Sequence, residues 1–508
     1  NSFVNLDGNP TNNGEVNLQS VGNATDLVIT GARAISGTGV INLSNTTANR
    51  VYGTGGTLTL GSGQTLQGAG AIGAGAGGFS FVNQGTVIAT QSAGLLINAP
   101  AGVTNTGTLR ADGGTLQLQS TINSGGGNIE ARNGSQVQLL NGAVINNANF
   151  SATGAGSLIT TVGGAQVTLG GGTVSGPVTI ANNSFVRQTG DLVYNGTLSM
   201  ASVGNATDLQ IDGVRSITGA ATISLSNTQA NRFVAANGAG DQLTLGNSVT
   251  LQGAGQLGAG TGLKVVNNGT VIASQSAGLV VETSAGLTNN GVMRADGGTL
   301  QFRNVVVQSA GGTIEALNGS QVQLQNGTVI NNANFAASSG GLITTVGGAT
   351  VTLGGGTVSG PMTVANNSFL QLTADMAYNG VLSMASVGNA TDIQFSGART
   401  LSGTATLDLS NTQANRLVAL NAAGDSATIG SSITVQGAGQ IGAGSALAIV
   451  NNGSLIANAS AGMVLSTPAG ATNNALIRGD GASFTIVNTQ LNQGAGGVLN
   501  AINGGSVN

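Results

Sequence analysis

The sequence predicts an all-β chain wound as a parallel β-helix. Three observations predict it: a composition rich in glycine and poor in charge, short strands of period two broken by tight-turn residues, and two nested repeats. The shorter repeat has the length of one coil, and the longer one spans roughly nine such coils.

Composition sets the limits first. Of 508 residues, 87 are Gly, only 6% are charged and 3% are aromatic. Usual charged content is about 25%. Hydrophobic residues make 40%, mostly small or β-branched, which is too much for a disordered chain. There is no His, Cys or Trp. That excludes His-dependent triads, thiol catalysis, disulfide frameworks and Cys/His metal or haem sites, so no cofactor and no metal is expected. A net charge of −4, from 13 basic and 17 acidic residues, points to neither nucleic acid nor a membrane surface. No stretch approaches the roughly 18 apolar residues of a membrane span.

The strands come next. Val137 and Leu139 alternate with Gln136 and Gln138, Leu116 and Leu118 with Gln117 and Gln119, and Leu58 and Leu60 flank Thr59. One face is apolar and the other carries amides or hydroxyls, the mark of half-buried strands. Gly-Gly, Asn-Gly and Ser-Gly break the runs, and Asn and Gly tolerate the positive φ that corners need. No segment carries a capped helical stripe.

Coils follow from spacing. Asn83-Gln84-Gly85, Asn105-Thr106-Gly107, Gly127-Asn128-Ile129 and Asn147-Ala148-Asn149-Phe150 succeed one another at about 20 to 22 residues. Val137, Leu139, Phe150 and their equivalents Val322, Leu324 and Phe335 are the expected core, and the corner Asn residues are expected to pass amide hydrogen bonds from coil to coil. Arg110 and Glu130 should pair across adjacent coils on the surface, as should Arg294 and Glu315, with Arg478 facing Asn500 instead.

The long repeat divides the chain. Ser-Val-Gly-Asn-Ala-Thr-Asp stands at 20–26, 202–208 and 386–392, offsets of about 182 and 184 residues. The expected domains are repeat 1 over 1–182, repeat 2 over 183–366 and an incomplete repeat 3 over 367–508. The chain reads as an internal piece of a longer protein, built to continue at both ends.

Most candidate sites have plain readings. Gly68 to Gly73, Gly253 to Gly258 and Gly437 to Gly442 spell GxGxxG, but no helix and no acid at the proper distance comes after them, so these are coil corners. Arg478-Gly479-Asp480 is an integrin-type tripeptide and the one adhesion candidate, although its equivalents are Arg110-Ala111-Asp112 and Arg294-Ala295-Asp296 and a regular coil offers no protruding loop. Asp26, Asp208 and Asp392, Arg33, Arg215 and Arg399, and Arg50, Arg232 and Arg416 recur as structural punctuation. Calcium-type nonapeptides are missing, Thr spacing is too irregular for an ice-binding face, and Asn-x-Ser/Thr sequons are no more than this composition produces.

The blocks Thr288–Leu300 (Thr-Asn-Asn-Gly-Val-Met-Arg-Ala-Asp-Gly-Gly-Thr-Leu) and Gly253–Gly258 (Gly-Ala-Gly-Gln-Leu-Gly) carry a resemblance. They resemble the filamentous-haemagglutinin-like large exoproteins of two-partner secretion and the passengers of autotransporter adhesins. The resemblance covers essentially the whole chain. It implies a right-handed parallel β-helix exported across the outer membrane of a Gram-negative cell, working at the surface in adhesion, aggregation or matrix building. The expected function is thus a non-enzymatic extracellular fibre or adhesin stalk. Its partners would be other copies, end to end or laterally, and host or matrix glycans or proteins. A polysaccharide-binding or polysaccharide-cleaving β-helix, of lyase or tailspike type, is the alternative.

Overall fold

The computed structural model describes residues 1–508. Every regular element is a β-strand, every strand pairing is parallel, and the chain coils as a right-handed parallel β-helix with about 22 residues per coil. The chain forms two compact units, Asn1–Gly255 and Gln256–Asn508.

In the N-terminal unit a coil has three faces. Thr25–Ile29 lies on the first, Ala32–Ile35 on the second and Val40–Leu43 on the third. The next coil stacks on it strand by strand, with Asp26 opposite Arg50, Arg33 opposite Leu58 and Ile41 opposite Leu66. Alternation then decides what is inside. On the third face Leu66, Val87, Leu109, Ile129, Phe150, Val174 and Tyr194 fall in one inward file, all buried. Each such side chain contributes roughly 1.5–3 kcal/mol by leaving water.

The C-terminal unit repeats the plan. Its faces open with Lys264–Asn267, Thr270–Ala273 and Leu279–Val281. Val271, Met293, Ile314, Phe335, Val358 and Tyr378 form the inward file of its second face. Val137, Leu139, Phe150, Val322, Leu324 and Phe335 are all buried, as their alternation requires. Corners are turned by left-handed residues at the expected types: Asn133, Asn318 and Asn503 have φ of 52, 52 and 53°, each followed by a left-handed Gly.

The long repeat is not nine coils. From Asp26 the first face advances through eight strand pairings to Val178–Ala181 and then Leu198–Ala201. The next strand, Thr207–Ile211, which holds the equivalent Asp208, lies on the second face. The C-terminal unit shows the same step. Asn267 on its first face is followed by eight pairings before the equivalent Asn451 appears on its second. One repeat is therefore eight coils and one strand, and its features turn by one face. The spacing of corner residues underestimates coil length because several corners carry loops beyond the minimal turn, such as 44–48 and 236–241.

Candidate functional site

The charged residues lie across neighbouring coils, where stacking places them. Asp26 faces Arg50, and the guanidinium donates through Nε to Oδ1 at 2.8 Å and through Nη2 to Oδ2 at 2.6 Å. Asp208 with Arg232 and Asp392 with Arg416 repeat this fork at 2.7–2.8 Å. The carboxylate hydrogen bonds hold all three guanidinium groups above their ordinary pKa. Arg50 also lies over the Tyr52 ring, 5.1 Å from its centroid. Residues that look like separate punctuation in the sequence are thus partners one coil apart. Arg33, Arg215 and Arg399 have another arrangement: each donates through Nη1 to the carbonyl of the preceding residue, and each Nε is buried without a partner.

The expected pair of Arg110 and Glu130 forms at 2.8 Å, and that of Arg294 and Glu315 at 2.6 Å. The expectation of a surface pair is corrected for the first. Glu130 is buried, and Arg132 closes on the same carboxylate oxygen at 3.0 Å. An alternating strand would put Glu130 outward, but two arginines fold over it and remove it from water.

Arg478, Gly479 and Asp480 lie inside the strand Leu476–Asp480, paired along its length with Val498–Ile502. Arg478 stands opposite Asn500, and its Nε is buried without a partner. A Cβ at Gly479 would run into the Ser506 carbonyl and lie 2.8 Å from that of Ala482. The Asp480 carboxylate accepts from Asn503 Nδ2 at 2.6 Å, as Asp112 does from Asn133 and Asp296 from Asn318. The tripeptide is therefore woven into the coil through each of its residues.

Buried amides form the other recurring set. Asn83 Nδ2 donates to Asn105 Oδ1 at 2.8 Å, and Asn105 Nδ2 to Ser124 Oγ at 3.1 Å. Asn267, Asn289 and Ser309 repeat this at 2.9 and 3.4 Å, and Asn451, Asn473 and Gln493 at 2.8 Å for both steps. These are the expected amide ladders, one for each long repeat, each three coils deep.

The GxGxxG segments serve a loop that crosses over them. A Cβ at Gly68 would meet the Leu43 carbonyl, and one at Gly70 that of Asn49, so this corner has no room for a side chain. Asn49 is wholly buried and its Nδ2 clamps the loop through Ser44 O at 2.9 Å and Ala69 O at 3.2 Å. Asn231 and Asn415 make the same bonds. The loop then passes over the tight corner: Asn45 donates to Ser92 Oγ at 3.0 Å and accepts from Ala93 N–H at 2.9 Å, 47 and 48 residues on. Asn411 does so with Ser460 and Ala461. Contacts two coils away leave no local pattern, so the sequence gives no sign of this clamp.

Repeats 2 and 3 insert a longer loop, closed by a buried Asp. Asp241 accepts from Gly213 N–H at 2.6 Å and Asn237 N–H at 2.7 Å. Burial alone would raise its pKa, but these donors outweigh burial and hold it below its ordinary value. Asp425 is likewise lowered against burial, by the Asn421 side chain and the N–H groups of Gly397 and Asn421.

The surface between these features is polar and shallow. Grooves of about 390 and 500 Å³ recur at equivalent corners, one lined by Gly113, Thr115, Asn133 and Gln136, the other by Gly297, Thr299, Asn318 and Gln321. The chain matches no protein-family model and no curated protein. No helix is long and apolar enough to cross a membrane.

Proposed function

We propose that this chain is a non-enzymatic structural protein of a bacterial cell surface or biofilm matrix, an extracellular fibre or adhesin stalk acting in adhesion, aggregation or matrix building. The observation that carries this reading is where the polar groups are engaged. The carboxylates of Asp26, Asp208, Asp392, Glu130 and Glu315 are bound by arginines, and those of Asp241 and Asp425 by backbone N–H groups. Carboxylates held in this way stabilise coils and are not poised as a general acid and base. The same sets return in successive repeats, which suits a part whose task is extension. The shallow polar grooves suit weak contacts with hydroxyl-rich glycans, and the parallel coil suits end-to-end addition of further copies.

The test is negative-stain microscopy of native surface material, with antibody against the chain. Continuous filaments that carry the label, lost together with cell aggregation on deletion, are the expected result. The reading fails if the purified chain releases oligosaccharides from a polysaccharide and one carboxylate variant abolishes that release.

A further inference from the structure

Residues that return in successive repeats are accounted for by the coil. Residues that differ between repeats are free to serve something else. The outward face of the strands Gln166–Ser175, Phe185–Ala201 and Thr207–Ile211 holds such a difference. Stacking places Gln166, Phe185 and Asp208 in one outward file, and Thr168, Arg187 and Gln210 in the file beside it. In the C-terminal unit the same grid reads Thr350, Phe369 and Asp392 beside Thr352, Gln371 and Gln394. In the first repeat Val28 stands where Gln210 does.

The C-terminal grid is closed on itself. Thr352 Oγ1 donates to Gln371 Oε1 at 3.1 Å, Gln371 Nε2 to Gln394 Oε1 at 3.0 Å, and Gln394 Nε2 to Asp392 Oδ2 at 3.4 Å. The N-terminal grid is open. Arg187 reaches past Gln210 to Asp212, which it meets through Nε at 2.9 Å, and to Asn237 Oδ1 at 3.2 Å through Nη2. The Thr168 hydroxyl and the side-chain amides of Gln166 and Gln210 are left without a partner in the chain, on the walls of a cleft of about 380 Å³. Gly142, Phe185 and Arg187 complete its lining. A Cβ at Gly142 would meet nothing within 4 Å, whereas one at the equivalent Gly327 would lie 2.5 Å from Asn304 Oδ1.

The groups in the cleft select its occupant. Charges around it cancel: Arg187 is 2.8 Å from Asp212, and Asp208, beside Phe185, is forked by Arg232. Two amides and a hydroxyl both donate and accept, which matches hydroxyl groups, whereas an anion only accepts. Phe185, half-buried among them, adds an apolar surface for C–H groups. The strands beneath are paired on both sides, so no backbone edge is open to a peptide. The volume is of the order that small molecules occupy. A neutral pyranose ring, rich in hydroxyls and with an apolar C–H face, meets all of these conditions.

We propose that the cleft at Phe185 is a binding site for neutral pyranose sugars, without a counterpart at Phe369. It goes beyond the stalk reading, whose corner grooves recur while this cleft does not. Saturation-transfer NMR of the 508-residue chain with cellotriose, chitotriose and laminaritriose, and with trigalacturonate, reads the contact, and circular dichroism melts report folding. At least one neutral trisaccharide should receive saturation at its ring C–H protons. Phe185→Ala and Gln166→Ala/Gln210→Ala should each weaken its binding about tenfold, and Phe369→Ala should leave it unchanged. Arg187→Gln/Asp212→Ser writes the closed grid into the N-terminal unit and should abolish binding with the parent's melt. If Phe185→Ala does not fold, that pair and the amide variant decide. Saturation of no neutral trisaccharide, or parent-like binding by the closed-grid variant, overturns the proposal. So does tighter binding of trigalacturonate, which would assign the cleft to an anion. Loss of self-association in Phe185→Ala, with sugar binding intact, would assign it to another copy and overturns it too. None of these results bears on whether native material forms filaments, so this proposal and the stalk reading fail separately.

Discussion

Tyr194 and Tyr378 occupy equivalent inward positions, yet their hydroxyls differ. Tyr194 donates to the Thr197 backbone carbonyl at 3.0 Å, whereas the buried hydroxyl of Tyr378 finds no partner. Burial raises both phenol pKa values, so both stay protonated. Tyr194→Phe should therefore cost about 1 kcal/mol, and Tyr378→Phe should be neutral or stabilising. Chemical denaturation of the two variants gives the comparison, and equal losses would contradict it. The depressed carboxyls of Asp241 and Asp425 give a pH signature. A lowered folded pKa adds stability that is present above the unfolded value, near 4, and is lost as pH falls through the folded value. The melting temperature should drop below about pH 4, and less steeply in Asp241→Asn/Asp425→Asn. Core positions are legible from alternation alone, and Leu139→Asp should cost several kcal/mol by placing an unpaired charge among buried neighbours. Thermal unfolding of that variant at the parent's temperature would remove the assignment. Asp241 is not legible, because its partners are the N–H of Gly213 on another coil and the N–H of Asn237 within its own loop, and a backbone group carries no residue signature.

At the scale of strands and corners, the amide ladder and the arginine fork do similar work by different means. The middle Asn105 both accepts and donates within the interior. Asn105→Ala leaves Asn83 Nδ2 and Ser124 without one bond each, at about 1–3 kcal/mol. Arg232→Ala leaves Asp208, whose side chain is 4% exposed, without its counter-charge. That loss should exceed the loss for Arg187→Ala, whose partner Asp212 is 26% exposed and therefore screened. Urea titration of both variants ranks them, and a larger loss at Arg187 would reverse the argument. Pairing between strands one coil apart is readable because the two residues share a position in the coil, as Arg110 and Glu130 do. The clamp at Asn49 is not, because its loop skips a coil and its sequence shows only small polar residues.

For the whole molecule, the sequence spacing reveals the coil and the long repeat, but their ratio needs the strand registers. Counting from Asn83 to Asn105 measures one coil. It does not measure the loops at 44–48 or 236–241, which change a coil's length without changing its strands. A chain lacking residues 20–201 joins Gln19 to Ser202 at equivalent points and removes eight coils and one strand. It should fold, with the same circular dichroism per residue and a cooperative melt. A chain that stays unfolded would mean that the three faces are not interchangeable.

That interchangeability has a genetic consequence. Unequal crossing-over between two repeats inserts or deletes one repeat length of coding sequence, and strands beyond the junction still find their places in order. Each such event also turns every later coil by one face. A lineage that gains or loses repeats in this way can change length freely, but successive copies of a duplicated feature fall on different faces, and only every third repeat brings it back to the same one. Selection for a one-sided surface would have to act on point mutations within a repeat, and recombination would then scatter the result around the axis.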